Sequence, residues 1–146
     1  MRMRTAAATI AALAAVLAPA QAHAGQPWGC YGTPIATYAV ADASGTVRGD
    51  LGIYAAPDGT KCAVLAAADP DTGHGEYFVA MAVCAETRPG TACTQVEYTH
   101  RWTYANYGDT APLPAAGHCV RVWGYLALGD GTYAEGIGDP PVNACD

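Results

Sequence analysis

Along most of this chain, apolar and polar residues alternate with a period of two, and helical spacing is nearly absent. Ile35 to Ala41 is a short β-prone run. From Thr46 to Ala55, Val47, Leu51, Ile53 and Ala55 share one parity, while Arg48, Asp50 and Tyr54 share the other. The turn Pro57-Asp58-Gly59-Thr60 follows, with glycine supplying positive φ, and Lys61 to Ala68 runs back as the second arm of a hairpin. The triplet Ala66-Ala67-Ala68 is also compatible with a turn of helix. Glu76 to Cys84 is apolar on both faces, with Tyr77, Val79, Met81 and Val83 on one and Phe78, Ala80, Ala82 and Cys84 on the other. Such a strand is expected to be covered on both sides. Thr94 to Tyr104 has the clearest alternation, setting Val96, Tyr98, His100, Trp102 and Tyr104 against Gln95, Glu97, Thr99, Arg101 and Thr103. A strand from His118 to Leu128, the turn Gly129-Asp130-Gly131 and a short strand near Tyr133 complete the series, and the tail after Gly136 reads as irregular. About seven strands at this spacing predict an all-β fold, a single small antiparallel β-sandwich or barrel.

The first 24 residues do not share this pattern. Met1-Arg2-Met3-Arg4, an apolar run from Ala6 to Ala18 and the exit Ala22-His23-Ala24 describe a secretory signal peptide over 1–24. The expected mature domain is 25–146, long enough for one core and too short for a second domain. It keeps five basic residues (Arg48, Lys61, Arg88, Arg101 and Arg121) against all thirteen acids, a net charge of −8. That balance argues against nucleic acid and against an anionic membrane surface as partners. No apolar run after Ala24 approaches bilayer-spanning length, so no membrane partner is expected once the leader is cleaved. Leu113-Pro114-Ala115-Ala116-Gly117 superficially resembles a wall-sorting signal, but Cys119 and a strand follow instead of an apolar tail, so it reads as a loop.

Cysteines 30, 62, 84, 93, 119 and 145 form an even set in a chain bound for an oxidising compartment, which predicts three disulfides. Cys84 and Cys93 close a short loop between two strands and are expected to pair. The remaining four admit a sequential solution, Cys30–Cys62 with Cys119–Cys145, and a nested one, Cys30–Cys145 with Cys62–Cys119; the sequential form is favoured slightly. Neither Cys-x-x-Cys nor His-x-x-x-His spacing is present, which disfavours zinc.

Candidate chemistry is sparse. Glu97, His100 and Arg101 combine an acid, a base and a cation on one strand, but residues an odd number apart point to opposite faces, so catalysis is not expected there. Ser44 is the one serine of the mature chain and sits in the turn-like Asp42-Ala43-Ser44-Gly45, without a nucleophile elbow. Asp69-x-Asp71-x-Gly73 opens like a calcium loop, but His74 and Ala80 occupy positions that require Gly and Glu, so an Asx-rich turn is the better account. No cofactor and no metal are expected. The row Tyr98, Trp102 and Tyr104, with Tyr107 just beyond, has two readings. The expected one makes it the buried face of its sheet; the other makes it a platform on which sugar rings stack, with Glu97, Arg101 or Asn106 as polar neighbours. Exposure of Trp102 separates the two. The loop Ala85 to Ala92 is shaped like the reactive loop of a secreted protease inhibitor with Arg88 at its tip. Pro89 would then follow the scissile carbonyl, where its ring fits poorly, so a clamped hairpin end is the expected reading.

Several segments taken in order carry a resemblance: Cys30-Tyr31-Gly32, then Gly52-Ile53-Tyr54-Ala55, then Asp58-Gly59-Thr60-Lys61-Cys62-Ala63-Val64. Tyr104-Ala105-Asn106-Tyr107 and Ala116-Gly117-His118-Cys119-Val120-Arg121-Val122-Trp123-Gly124 complete the set. Together they resemble the spore-associated protein A-like family of small secreted actinobacterial proteins. Lys61 stands where that family favours Asn, and Ala105-Asn106-Tyr107 replaces an Ala-Gly-Pro core. Cys84 and Cys93 look like an addition to the family pattern, which supports bridging them to each other. The resemblance implies a β-rich extracellular protein found with spores or culture fluid, and it brings no catalytic residues. The chain is therefore expected to be a secreted, non-enzymatic protein of the cell or spore exterior. Its expected partners are cell-wall or spore-surface material or a secreted protein. The alternative is a binding module, for polysaccharide through the aromatic row or for a hydrolase through the Arg88 loop.

Overall fold

The computed structural model describes residues 30–69, 75–105, 107–137 and 144–145. The leader over 1–24, His74, most of the calcium-like loop, Asn106 and most of the tail after Gly136 lie outside the described residues.

The seven expected strands are present as β1 (Thr33–Ala41), β2 (Val47–Ala55), β3 (Thr60–Ala67), β4 (Gly75–Cys84), β5 (Gln95–Ala105), β8 (Val120–Ala127) and β9 (Tyr133–Ile137). Two further pieces, β6 (Tyr107–Asp109) and β7 (Leu113–Pro114), raise the number to nine among the described residues. The Ala66-Ala67-Ala68 stretch is not helical: β3 runs through Ala67, and the Ala68 N–H donates to the Arg48 carbonyl. Every pairing is antiparallel, in the order β5-β4-β8-β9-β1-β2-β3-β6, with β7 also on β3.

This sheet curls until its two ends, β5 and β6, approach each other without forming a ladder. Arg101 of β5 spans that seam to Asp109 of β6, Nη1 to Oδ1, at 2.7 Å. On the opposite side, β1 and β9 are joined through one registered pair, Ala41 with Glu135. The fold is therefore a nearly closed barrel with two thin seams, which gives it the look of two curled half-sheets. The β5-β4-β8-β9 half and the β1-β2-β3-β6 half clasp one core between them. Val40, Leu51, Ile53 and Leu65 enter from one side; Tyr77, Val79, Met81, Val83, Val122 and Leu126 enter from the other.

Glycines let the halves close on each other. A Cβ on Gly136 would lie 2.6 Å from Val40 Cγ2, and one on Gly108 would lie 2.8 Å from the Tyr77 Cβ. The hairpins β1–β2, β2–β3 and β8–β9 share one turn solution. Gly45, Gly59 and Gly131, all with positive φ, donate to the carbonyls of Asp42, Ala56 and Leu128. Asp58 and Asp130 just before their glycines, and Asp42 at the start of its turn, each accept a hydroxyl and a backbone N–H from two residues ahead. Ser44 is thus part of a turn, donating to Asp42 at 2.5 Å.

The disulfides are Cys30–Cys62, Cys84–Cys93 and Cys119–Cys145, the sequential set rather than the nested one. They tie the N-terminal approach to β3, the end of β4 to the strand-entry of β5, and the entry of β8 to the chain's end. Beside the last bridge, Val120 pairs with Ala144. Three such bridges fit an oxidising, extracellular environment.

The sequence pattern gave no warning of Lys61. It lies on the core parity of β3 and is fully buried, with its ammonium donating to the His118 carbonyl.

A candidate binding face on strands β5, β4 and β8

The expected burial of the aromatic row is overturned. Tyr98 is 40% exposed, Trp102 52% and Tyr104 80%, and Val96 and His100 on the same parity are also exposed. The reason lies in the sheet order. In register, Thr99, Arg101 and Thr103 stand opposite Met81, Val79 and Tyr77, whose side chains fill the core. The polar parity of β5 thus faces inward, at an end of the sheet where the seam accepts it, and the rings face out.

These rings cover the second apolar face of β4. Phe78 lies between Trp102 and Tyr125 in one cross-strand row, and Ala80 lies between His100 and Trp123 in the next. Phe78 meets Trp102 at 4.7 Å between ring centroids and Tyr125 at 5.6 Å. Tyr98 stacks on His100 at 5.3 Å and on Trp123 at 5.7 Å, folding over the small Ala80 and Ala82. The Trp123–Tyr98–His100 stack spends its ring faces internally. Trp102 packs on Phe78 from one side yet stays half exposed, and with Tyr104 it is more exposed than Tyr98.

Around that pair, Tyr133 is 51% exposed on β9, and Glu135 of the same strand stands opposite Tyr125. Glu76 stands opposite Tyr104 and accepts its hydroxyl at 3.2 Å. This bond, with the carboxylate's charge, pushes the Tyr104 phenol above its ordinary range. Phe78, Trp123, Tyr125, Tyr133, Glu76 and Glu135 were not among the sequence candidates. The alternation on β8 marks Trp123 and Tyr125 as sharing a face, but nothing in the pattern says that β8 lies next to β4.

Tyr107 does not extend this row. It sits half-buried on β6, in register with Ala66 of β3, and so belongs to the other half of the sheet.

Glu97 and Arg101 lie on the parity opposite His100, as strand geometry requires. A cleft of about 310 Å³ at the seam is lined by Thr99, His100, Arg101, Asp109, Thr110, Ala111 and Pro112. Within it Asp109 is held by Arg101, while the His100 ring rests against Tyr98 and Phe78. The acid and the imidazole are therefore committed to different partners.

The loop 85–92 leaves Arg88 exposed at its tip and is braced at four places besides the Cys84–Cys93 bridge. Ala85 N–H donates to Thr94 O, Cys119 N–H to Glu86 O and Arg121 Nη2 to Thr91 O. The Glu86 carboxylate takes both the N–H and the hydroxyl of Thr94, which hold its pKa below the ordinary range. Cys84, Glu86 and Cys93 place three ligand-type atoms within 4.8 Å, but both sulfurs belong to one disulfide and offer no thiolate to a metal.

Fold and face together define a small disulfide-stabilised antiparallel β-barrel with an exposed aromatic layer on one half. No family model, curated protein or solved structure matches this chain.

Proposed function

We propose that this chain is an extracellular, non-catalytic binding module that holds polysaccharide on the outer face of β5-β4-β8. The observation that carries the reading is the layer of rings ending in the open faces of Trp102 and Tyr104. Sugar rings are apolar on their C–H faces and polar at their edges. An aromatic ring with a polar tip satisfies both, and a rigid layer binds without first being ordered. Phe78 beneath Trp102, and Glu76 beside Tyr104, supply that rigidity. Among the exposed large apolar side chains of this face, Val96 alone is aliphatic, which suits an amphipathic ligand better than the apolar patch of another protein.

The leader-like first 24 residues and the three disulfides support an exported protein. The segments that resemble the spore-associated protein A-like family support a place on the cell or spore exterior, where wall and coat glycans supply the ligand.

Co-sedimentation with insoluble glycans tests the reading. The wild-type chain is expected to be retained, and Trp102→Ala to weaken retention about tenfold, the loss of one stacking contact. Equal retention of both forms removes the aromatic face as the binding surface.

A further inference from the structure

We infer that the corner of this face around Trp102 and Tyr104 selects glycans that carry free amino groups, an amino-sugar polymer in its ammonium form. The inference rests on the polysaccharide reading above and adds the charge of the ligand. Five rings lie in two neighbouring cross-strand rows at this corner. Trp102 and Tyr125 flank Phe78 in one cross-strand row, while Tyr104 and Tyr133 belong to the next row toward the β8–β9 turn. Two carboxylates stand among them, Glu76 opposite Tyr104 and Glu135 opposite Tyr125.

No cation on the neighbouring described outward positions of these strands offsets the two carboxylates, and Arg48 of β2, whose charge reaches Asp130 in the β8–β9 turn, is bonded to Asp42. On the described outward positions of β4, β5, β8 and β9, the one Lys or Arg is Arg121, at the far end of the layer. Its guanidinium is turned to the Thr91 carbonyl of the braced loop. The corner thus combines the negative faces of exposed aromatic rings with full negative charges, and both attract an ammonium group. Tyr104 contributes twice, since its hydroxyl fixes Glu76 while its ring remains 80% exposed.

A neutral glycan would gain from the rings but leave the charge of the carboxylates uncompensated, and an anionic one would be repelled by them. The mature chain's net charge of −8 acts in the same direction at longer range. An amino sugar satisfies both features of the corner. A ring stacks on Trp102 or Tyr104, and ammonium groups of successive sugars face Glu76 on β4 and Glu135 on β9. The pyranose requirement separates this ligand from a simple cation, because Trp102 offers a flat face longer than an ammonium group can use.

Binding should be measured by calorimetry at low and high salt, with fully de-N-acetylated glucosamine oligomers and their fully acetylated counterparts as probes. The de-N-acetylated oligomer is expected to bind more than about tenfold tighter at low salt, with the preference shrinking as salt screens the charges. Glu135→Gln, which leaves the Tyr104–Glu76 bond in place, should shrink the preference without changing binding of the acetylated oligomer, and adding Glu76→Gln should abolish the preference. Trp102→Ala should weaken both oligomers alike.

Trp102-dependent binding of both oligomers with no preference would overturn the inference and leave the polysaccharide reading standing. Binding of neither oligomer would overturn both. Oligolysine or a trimethylammonium salt competing as well as the oligomer, at equal cation concentration, would show plain cation capture and also overturn the inference. Near-ultraviolet circular dichroism of each variant establishes that the ring layer is intact.

Discussion

Inside the barrel, β2 presents Leu51 and Ile53 to the core much as β4 presents Val79 and Met81, and all four are fully buried. Outside, the same two strands part company. The β1-β2-β3 half shows Thr37, Ala39 and Asp50 to solvent, with a small apolar knot of Cys30, Cys62 and Val64 under Tyr54. The β5-β4-β8 half shows a layer of rings supported on Phe78. The first half folds and stays in place with a sparse outer surface, so an outer aromatic layer is not something this fold demands. What both halves share is structural; what one half adds is the better guide to function.

The comparison breaks most visibly at Phe78. Replacing it with Ala should cost about 3–5 kcal/mol and disorder the rings above it, whereas Tyr104→Ala, on the exposed edge, should change stability by less than about 0.5 kcal/mol. Denaturant unfolding, with near-ultraviolet circular dichroism for the rings, measures both. If Phe78→Ala proves harmless, the layer is decoration that the sheet does not support.

A smaller effect is expected where the halves meet. Gly136→Val should cost about 1–3 kcal/mol, because its Cβ would enter the space of Val40 Cγ2. The same substitution at Gly90, where a Cβ meets nothing within 4 Å, should be close to neutral. Equal melting temperatures for the two variants would mean that the halves do not clasp each other through Gly136.

The smallest effect concerns the turns that serve both halves. Asp58 and Asp130 are held below the ordinary carboxylate range by the hydroxyls and then the backbone N–H groups of Thr60 and Thr132. Asp42 is lowered by Ser44 and then Arg48. A carboxylate depressed in the folded state adds stability above its unfolded pKa and loses it as pH falls through its folded value. Stability should therefore be level from neutrality to about pH 4, near the unfolded Asp value, and decline below it. Replacing all three with Asn keeps an acceptor that does not titrate, and should make the decline shallower. An unchanged acid profile would detach these turns from the acid response.

Much of this architecture is legible in the chain. Most of the seven longer strands follow from alternation, because successive residues face core and solvent in turn, while β4 follows from a continuous apolar run buried on both faces. β6 and β7 do not, since three and two residues are too few to establish a period, and β7 includes Pro114. Alternation at Trp102 and Arg101 says that they point to opposite sides, but it cannot say which side is inside. The usual inference, rings inward, fails because β5 ends the sheet and its polar parity meets Asp109 across the seam. One residue run did hold the answer. β4 is apolar on both faces, and a second apolar face with small Ala80 and Ala82 needs a cover from its neighbours. The rings on β5 and β8 are that cover, so they stand on the side away from the core.

The sequential disulfides have a consequence for the order of events in biogenesis. Each bridge joins the next available cysteine, so no sulfur must wait while a later bridge forms inside its own loop. A chain emerging from its N-terminus presents Cys30 and Cys62 first, then Cys84 and Cys93, then Cys119 and Cys145, so the native pairs follow the order in which the thiols appear. Pairing each thiol with the next one to emerge leads to the native set, so vectorial oxidation and the folded barrel favour the same bridges.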